Sequence, residues 1–412
     1  MSFSSRLPCH YAWVIVGCGI LTLFSCLGLA RFAYGMLLPG MRAGLGLAYD
    51  QMGYISTGNF VGYLLAVGLA PFALRRFKPR MLMALALTLI AMCMAGIAQS
   101  DGYVTIVLLY SLTGVGSGFA NIPVMVLVSR WFRRERRGRA AGLMVVGNGA
   151  AIVFSGFFIP YLNQMFAAQG WRIGWAALAV ITLCVACVVA TLVRNDPQDM
   201  ELTPLGNKQA VDVGDLTIGI PSNGGRIVLF LGVLYLVFGA TYMVYGTFIV
   251  TTMVEEFGFA EATAGMFWSW VGFFSLFSGV SFGMLSDRIG RRGGIMAVFC
   301  VQTCAYLLAG SDFGTAALLA SVVLYGLSAW AIPAIMGAAV ADYMGVSKAA
   351  AAFSTVTFFF AFGQTLGPGT AGLIADATGS FATSYLCSAA LTAAAIIMAL
   401  FLPRPACKNT PF

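Results

Sequence analysis

Charge is what this sequence has least of. Of 412 residues only 9% are Asp, Glu, Lys or Arg, against 60% hydrophobic, whereas a soluble domain carries about 25% charged residues. So little charge cannot cover a water-exposed surface, which excludes a soluble globular protein. Histidine is nearly absent: the single one, His10, precedes the first apolar run. No nucleotide-binding loop occurs, so ATP-driven chemistry within this chain is excluded. No catalytic dyad, metal-ligand set or soluble signalling segment is visible, and neither an enzyme, a metal nor a cofactor is expected. Ten cysteines are scattered, and the CxxC of Cys184 and Cys187 lies inside an apolar run. There the thiols read as core filling rather than as a redox or metal pair.

Long apolar runs take the place of charge. They cover 11–38, 50–74, 80–99, 103–130, 138–163, 172–193, 226–252, 262–286, 293–310, 314–343, 348–376 and 380–402. About 20 apolar residues cross the hydrocarbon core, and without water to satisfy the backbone such runs must be helices. The first run is too long for a signal-peptide core and is expected to be a retained helix. The 49 glycines suit membrane helices that pack through small residues. The reading is an all-α membrane protein of twelve transmembrane helices. The one long polar stretch, 194–225, reads as a cytoplasmic linker between six-helix bundles at 1–193 and 226–412.

The net charge of +8 is a topology signal. With the N-terminus in the cytoplasm, Arg6, Arg75, Arg76, Lys78 and Arg80, six arginines over 130–139, Arg194, Lys208, Arg226, Arg288, Arg291, Arg292, Lys348, Arg404 and Lys408 all face inward. That is 20 of 23 basic residues, as the positive-inside rule requires. Arg31, Arg42 and Arg172 are the exceptions. Both termini are therefore expected in the cytoplasm of a bacterial inner membrane, and nucleic acid is not an expected partner. The halves also echo one another. Basic loops follow the second and eighth runs, Gly114, Gly116, Gly118 and Pro123 answer Gly326 and Pro333, and Gly147-Asn148-Gly149 answers Gly363-Gln364. Repeated halves with interrupted helices fit alternating-access transporters.

Residues 283–292, with Gly283, Asp287, Arg288, Gly290, Arg291 and Arg292, resemble the loop signature of the major facilitator superfamily between helices eight and nine. The arginines can pair with Asp287 or with helix C-termini and latch one conformation. The corresponding loop at 70–80 lacks the aspartate. Arg130-Trp131-Phe132 with Arg136-Arg137-Gly138-Arg139 and Gly142 resembles the four–five loop of monocarboxylate and oxalate/formate-type facilitators. Gly170-Trp171-Arg172, and Gly367-Pro368 with Ala371, Gly372 and Asp376, fit the superfamily as well. Residues 30–41, from Ala30-Arg31-Phe32-Ala33-Tyr34-Gly35 to Pro39-Gly40-Met41, resemble the YbfB/YjiJ-type bacterial branch.

The resemblance implies a monomeric carrier with a substrate site near the midplane, lined by helices 1, 4, 7 and 10 with 2, 5, 8 and 11 beside them. Monocarboxylate transporters place a binding arginine on helix eight, four residues before the motif glycine; this chain has Gly279 there. Arg31 is the basic residue set well inside a run. Counted back from Pro39 it lies roughly 12 Å below the outer end of the first helix. A buried guanidinium is expensive unless paired, and no acid sits at matching depth. Arg31 therefore binds an anion, hydrogen-bonds carbonyls and polar side chains, or snorkels to the surface. Tyr34, Asn59, Tyr63, Asn121, Asn148, Tyr242, Tyr245, Trp268, Trp330, Phe359 and Gln364 are the further candidates for a small amphipathic pocket. For each, interhelical hydrogen bonding or aromatic packing is the competing role.

A dedicated proton-carrying carboxylate is not found at depth. Symport in which the substrate's own charge carries the proton balance, anion exchange and facilitated diffusion remain. The expected cargo is a small organic anion, a carboxylate, with a co-transported proton as possible partner; the alternative is export of neutral or cationic amphipathic compounds.

Overall fold

The computed structural model describes residues 10–206, 224–311 and 313–403. Arg6, Lys208, Asp312, Arg404, Lys408, residues 207–223 of the expected linker and both termini lie outside the described residues. The described chain is helical apart from one isolated bridge between Phe132 and Leu205.

The helices are α1 Ala12–Leu45, α2 Tyr49–Arg76, α3 Pro79–Ala98, α4 Tyr103–Trp131, α5 Arg134–Phe166 and α6 Gly170–Leu192. After the linker come α7 Gly224–Thr251, with a π-helical end at Thr252–Glu256, and the 50-residue stretch Glu261–Gly310. That stretch is broken at Gly290 (φ 85°, ψ 158°), a backbone conformation that excludes ordinary side chains. It is divided into α8 (261–289) and α9 (291–310). α10 Thr315–Met344 is interrupted at Ala329–Trp330, and α11 Val346–Thr378 and α12 Ala382–Leu400 complete the chain. Nine stretches among the described residues are long and apolar enough to cross a membrane, and two of them, Glu135–Leu192 and Glu261–Gly310, each contain two helices.

Two sequence expectations change. Cys184 and Cys187, expected to fill the core, are exposed on α6. The first helix does not end at Pro39 but continues to Leu45, where Gly46 closes it in the left-handed conformation (φ 65°, ψ 36°). Proline is tolerated inside a membrane helix because local π or 3₁₀ adjustments and neighbouring groups satisfy the freed backbone. The start of the linker carries local structure. Pro197–Met200 forms a 3₁₀ turn, Leu205 N–H donates to the Trp131 carbonyl at 2.9 Å, and Arg133 N–H donates to the Leu205 carbonyl at 3.0 Å. Arg130 pairs with Asp196 at 3.0 Å beside this bridge.

Contacts divide the chain into two compact units. One holds residues up to 206 together with 259–272; the other holds 224–258 and 273–403. In the first, α2 and α4 pack along their length, α3 packs on α4 and α6, and α1 lies against α5. In the second, α7 packs on α11 and α12.

Candidate functional site

The site is built on a defect in α1. Phe24–Phe32 is wound as a π-helix, a form that appears mostly in short stretches and often where function needs it. α4 holds this segment in place. Ser117 Oγ donates to the Cys26 carbonyl at 2.5 Å, and Tyr110 Oη donates to the Arg31 carbonyl at 3.4 Å. Because α1 extends to Leu45, Arg31 lies near the middle of the 34-residue helix, roughly 21 Å from its end at 1.5 Å per residue, deeper than the sequence suggested.

Arg31 is 7% exposed and is the one buried charged residue among those described. Its guanidinium carbon lies 4.5 Å from the Phe60 ring centroid and 4.6 Å from that of Tyr63. Nε donates to Asn59 Oδ1 at 3.3 Å. Asn59 is fixed in turn: its Nδ2 donates to the Tyr110 carbonyl at 3.1 Å and to Thr113 Oγ1 at 2.8 Å. The backbones are close enough for this because residue 114 is glycine, where a Cβ would run into the Asn59 carbonyl. Asn121 Nδ2 donates to Tyr63 Oη at 2.9 Å. Of the expected residues, Arg31, Asn59, Tyr63 and Asn121 thus form one connected group.

This arrangement holds a cation without neutralising it. No carboxylate pairs with Arg31 among the described residues, and its Nη2 is buried with no hydrogen-bond partner. Two aromatic faces contribute about 0.5–2 kcal/mol each toward the desolvation penalty of a guanidinium, but bring no counter-charge. The group therefore retains an unpartnered donor and a positive charge.

The other candidates fall elsewhere. Tyr34 is removed from the group: its hydroxyl donates to the Met52 carbonyl at 2.9 Å and its ring packs on Tyr110 at 4.9 Å. Asn148 and Trp268 are buried in the first unit, each with one polar atom unpartnered, Oδ1 and Nε1. In the second unit Gln364 Nε2 donates to Tyr242 Oη at 3.4 Å, its Oε1 is buried without a partner, and Trp330 lies 6.0 Å from the Tyr242 ring. Tyr245 is stacked on Tyr325 at 4.1 Å and hydrogen-bonded with Ser321 Oγ at 2.8 Å. Phe359 packs against Gly232, while its neighbour Phe360 lies 6.2 Å from the Tyr242 ring. Phe60, Tyr110, Thr113 and Phe360 are not among the expected residues; the available signal was an i, i+3 aromatic pair, Phe60 and Tyr63, just after the amide of Asn59. Gln302, likewise not expected, is fully buried with neither amide atom partnered among the described residues.

At the α8–α9 break, Arg291 gathers two carboxylates. Nη1 donates to Asp287 Oδ1 and Nε to Asp342 Oδ2, both at 2.6 Å. Gly290 supplies the turn that points Arg291 back. Gly283, Arg288 and Arg292 share the segment, but neither of those two arginines forms an ion pair among the described residues.

Residues 23–400 match the family described as the uncharacterised MFS-type transporter YbfB. The hexuronate transporter of Bacillus subtilis (strain 168) is 23% identical over 394 residues, 92% of this chain and 91% of that protein. Human monocarboxylate transporter 11 is 28% identical over 313 residues, 72% of this chain and 63% of that protein. Among solved structures, nucleoside transporter NupG superposes with a TM-score of 0.74 at 13% identity, covering 96% of this chain and 99% of that one. A bacterial homologue of the human lysosomal transporter Spinster gives 0.71 at 13%, covering 95% of each. These two share the fold with this chain.

Proposed function

Because the chain belongs to the YbfB family of MFS-type transporters, we propose that it carries a small organic anion, a carboxylate, across the bacterial inner membrane by alternating access, with Arg31 as the counter-charge. One observation carries this reading: a buried guanidinium with an unpartnered Nη2 and no carboxylate beside it among the described residues. A carboxylate supplies both the charge and the acceptor, and charge-assisted bonds of this kind are about twice as strong as neutral ones. Similarity to transporters of hexuronates and monocarboxylates, both carboxylate classes, supports the same choice. A fixed buried cation argues against export of cationic amphipaths through this group.

In this reading the twelve labelled helices each cross once, with both ends of the chain cytoplasmic. A 50-residue helical stretch would run to about 75 Å, far beyond a core of about 30 Å, so the break at Gly290 returns the chain. Gly290 and the Arg291–Asp287–Asp342 cluster act as a latch that changes partners between states. In this reading a co-transported proton travels on the substrate's own charge balance.

The test is uptake of labelled glucuronate and lactate into proteoliposomes. Arg31→Ala abolishes uptake, and Arg31→Lys, which keeps the charge but loses the planar fork, lowers it about tenfold or more, corresponding to about 1.4 kcal/mol. Uptake at the wild-type rate in both variants would remove Arg31 from the mechanism.

A further inference from the structure

The first unit contains a cavity that the anion reading does not use. Its volume is about 510 Å³, within the range of about 300–1,000 Å³ that small-molecule sites occupy. Gly40 and Ala43 from the end of α1, Pro160 and Asn163 from the end of α5, Trp171 from the start of α6 and Glu261 from the start of α8 contribute to its wall. Gly40 lies nine residues beyond Arg31, roughly 14 Å farther along the helix, so the cavity and the guanidinium are separate.

Glu261 is the one charged residue among those lining the cavity. Its Oε2 accepts from Asn163 Nδ2 at 2.6 Å, while Oε1 has no partner among the described residues. The arginines near this end of the unit are committed elsewhere. Arg172 pairs with Asp101, donates to the carbonyls of Ala98 at 3.1 Å and Ser100 at 3.0 Å, and lies over the Trp171 ring. Arg42 donates to the Leu47 carbonyl at 3.2 Å and lies over the Tyr49 ring. The cavity is thus a largely apolar chamber with one negative charge, held in a fixed orientation by Asn163, and one open carboxylate oxygen.

We infer that this cavity binds an organic ammonium with a small apolar body. The ammonium donates to Glu261 Oε1, and Ala43, Pro160 and Trp171 cover the apolar part. An anion is repelled, and a neutral molecule leaves the carboxylate without a counter-charge. A primary ammonium is carried both by soluble amines and by the phosphatidylethanolamine headgroup, and both reach a protein in a bilayer. The site stands on its own geometry, so it survives if the Arg31 reading fails.

The experiment uses the full chain in phosphatidylglycerol nanodiscs and three probes sharing one ring: phenethylamine, 2-phenylethanol and 3-phenylpropionate. A ligand of the folded state raises the melting temperature by mass action. Phenethylamine is expected to raise it saturably and the other two are not. Glu261→Gln keeps an acceptor for Asn163 and raises the apparent Kd of phenethylamine at least tenfold. Ala43→Phe fills the chamber, leaves the charge in place and has the same effect. A second arm replaces part of the phosphatidylglycerol with phosphatidylethanolamine. Stabilisation by the lipid that Glu261→Gln removes assigns the headgroup as ligand; a response to phenethylamine alone assigns a soluble amine. Equal shifts with all three probes, or a phenethylamine response unchanged in both variants, would overturn the inference.

Discussion

Arg31 and Asn59, 28 residues apart in sequence, meet through a 3.3 Å hydrogen bond from the guanidinium Nε to the amide Oδ1. Asn59 is neutral, so the bond orients the guanidinium and leaves its charge intact. Replacing it with Asp supplies an internal counter-charge. Asn59→Asp is therefore expected to weaken the anion about tenfold or more, read as the loss of glucuronate-induced thermal stabilisation. Asn59→Leu leaves Arg31 Nε and two α4 acceptors without their partner and lowers stability by about 1–3 kcal/mol. Wild-type anion affinity in Asn59→Asp would contradict the role given to Arg31.

Tyr63 does two separable things. Its ring covers the guanidinium at 4.6 Å, and its hydroxyl accepts from Asn121. Tyr63→Phe removes the second and is expected to lower stability by about 0.5–1.5 kcal/mol. Tyr63→Leu also removes the aromatic face, a further loss of about 0.5–2 kcal/mol. Chemical denaturation of the two variants side by side checks this, and equal losses would rule out a stacking contribution.

Gly114 is what lets α4 lie against α2 at the level of Asn59. Gly114→Val forces the helices apart, with an expected overpacking loss of about 1–3 kcal/mol and a weaker anion response, because Asn59 moves with the backbone. Gly142 in α5 is the control: nothing lies within 4 Å of a Cβ built there. Gly142→Ala is expected to be neutral or to stabilise by about 0.5–1 kcal/mol, since glycine is the poorer helix former. Melting curves of the two variants distinguish a packed glycine from an open one.

Arg291 bridges Asp287 and Asp342, whose side chains are 64% and 44% exposed. Exposed pairs contribute about 0–1 kcal/mol each, so Asp287→Asn and Asp342→Asn are expected to change melting only slightly, and less at 1 M salt, where the screening length falls to about 3 Å. Because both carboxylates share one guanidinium, the double variant is expected to be non-additive. Transport rate is the more sensitive readout for a latch. A double variant that melts additively and transports at the wild-type rate would remove the cluster from the conformational cycle.

Much of this molecule was readable residue by residue. The apolar runs located the helices to within a few residues, and the Gly283–Arg292 spacing marked the turn where Gly290 takes a positive φ. Arg31 stood out because it alone placed a full charge deep inside an apolar run. The end of α1 was misplaced because Pro39 reads as a stop, whereas a bilayer helix carries it through to Leu45. The docking of Leu205 on Trp131 and Arg133 was invisible, since a two-residue bridge leaves no periodic signal. Tyr34, Tyr245 and Phe359 match Tyr63 by type and depth; only the tertiary structure shows that they lie outside the group around Arg31.

Composition and pattern alone determined that the chain lives in lipid as helices, because a backbone without water must satisfy its own hydrogen bonds, and 60% apolar against 9% charged residues allows nothing else. They also determined that one unpaired cation lies within a span. The tertiary structure decided what surrounds that cation. A π-helical turn in α1, Tyr110, Thr113 and Ser117 from α4, and Asn59, Phe60 and Tyr63 from α2 converge on it. Such convergence depends on how three helices rotate and approach one another, which is set by close packing of small residues such as Gly114 and not by the order of residues along any one of them.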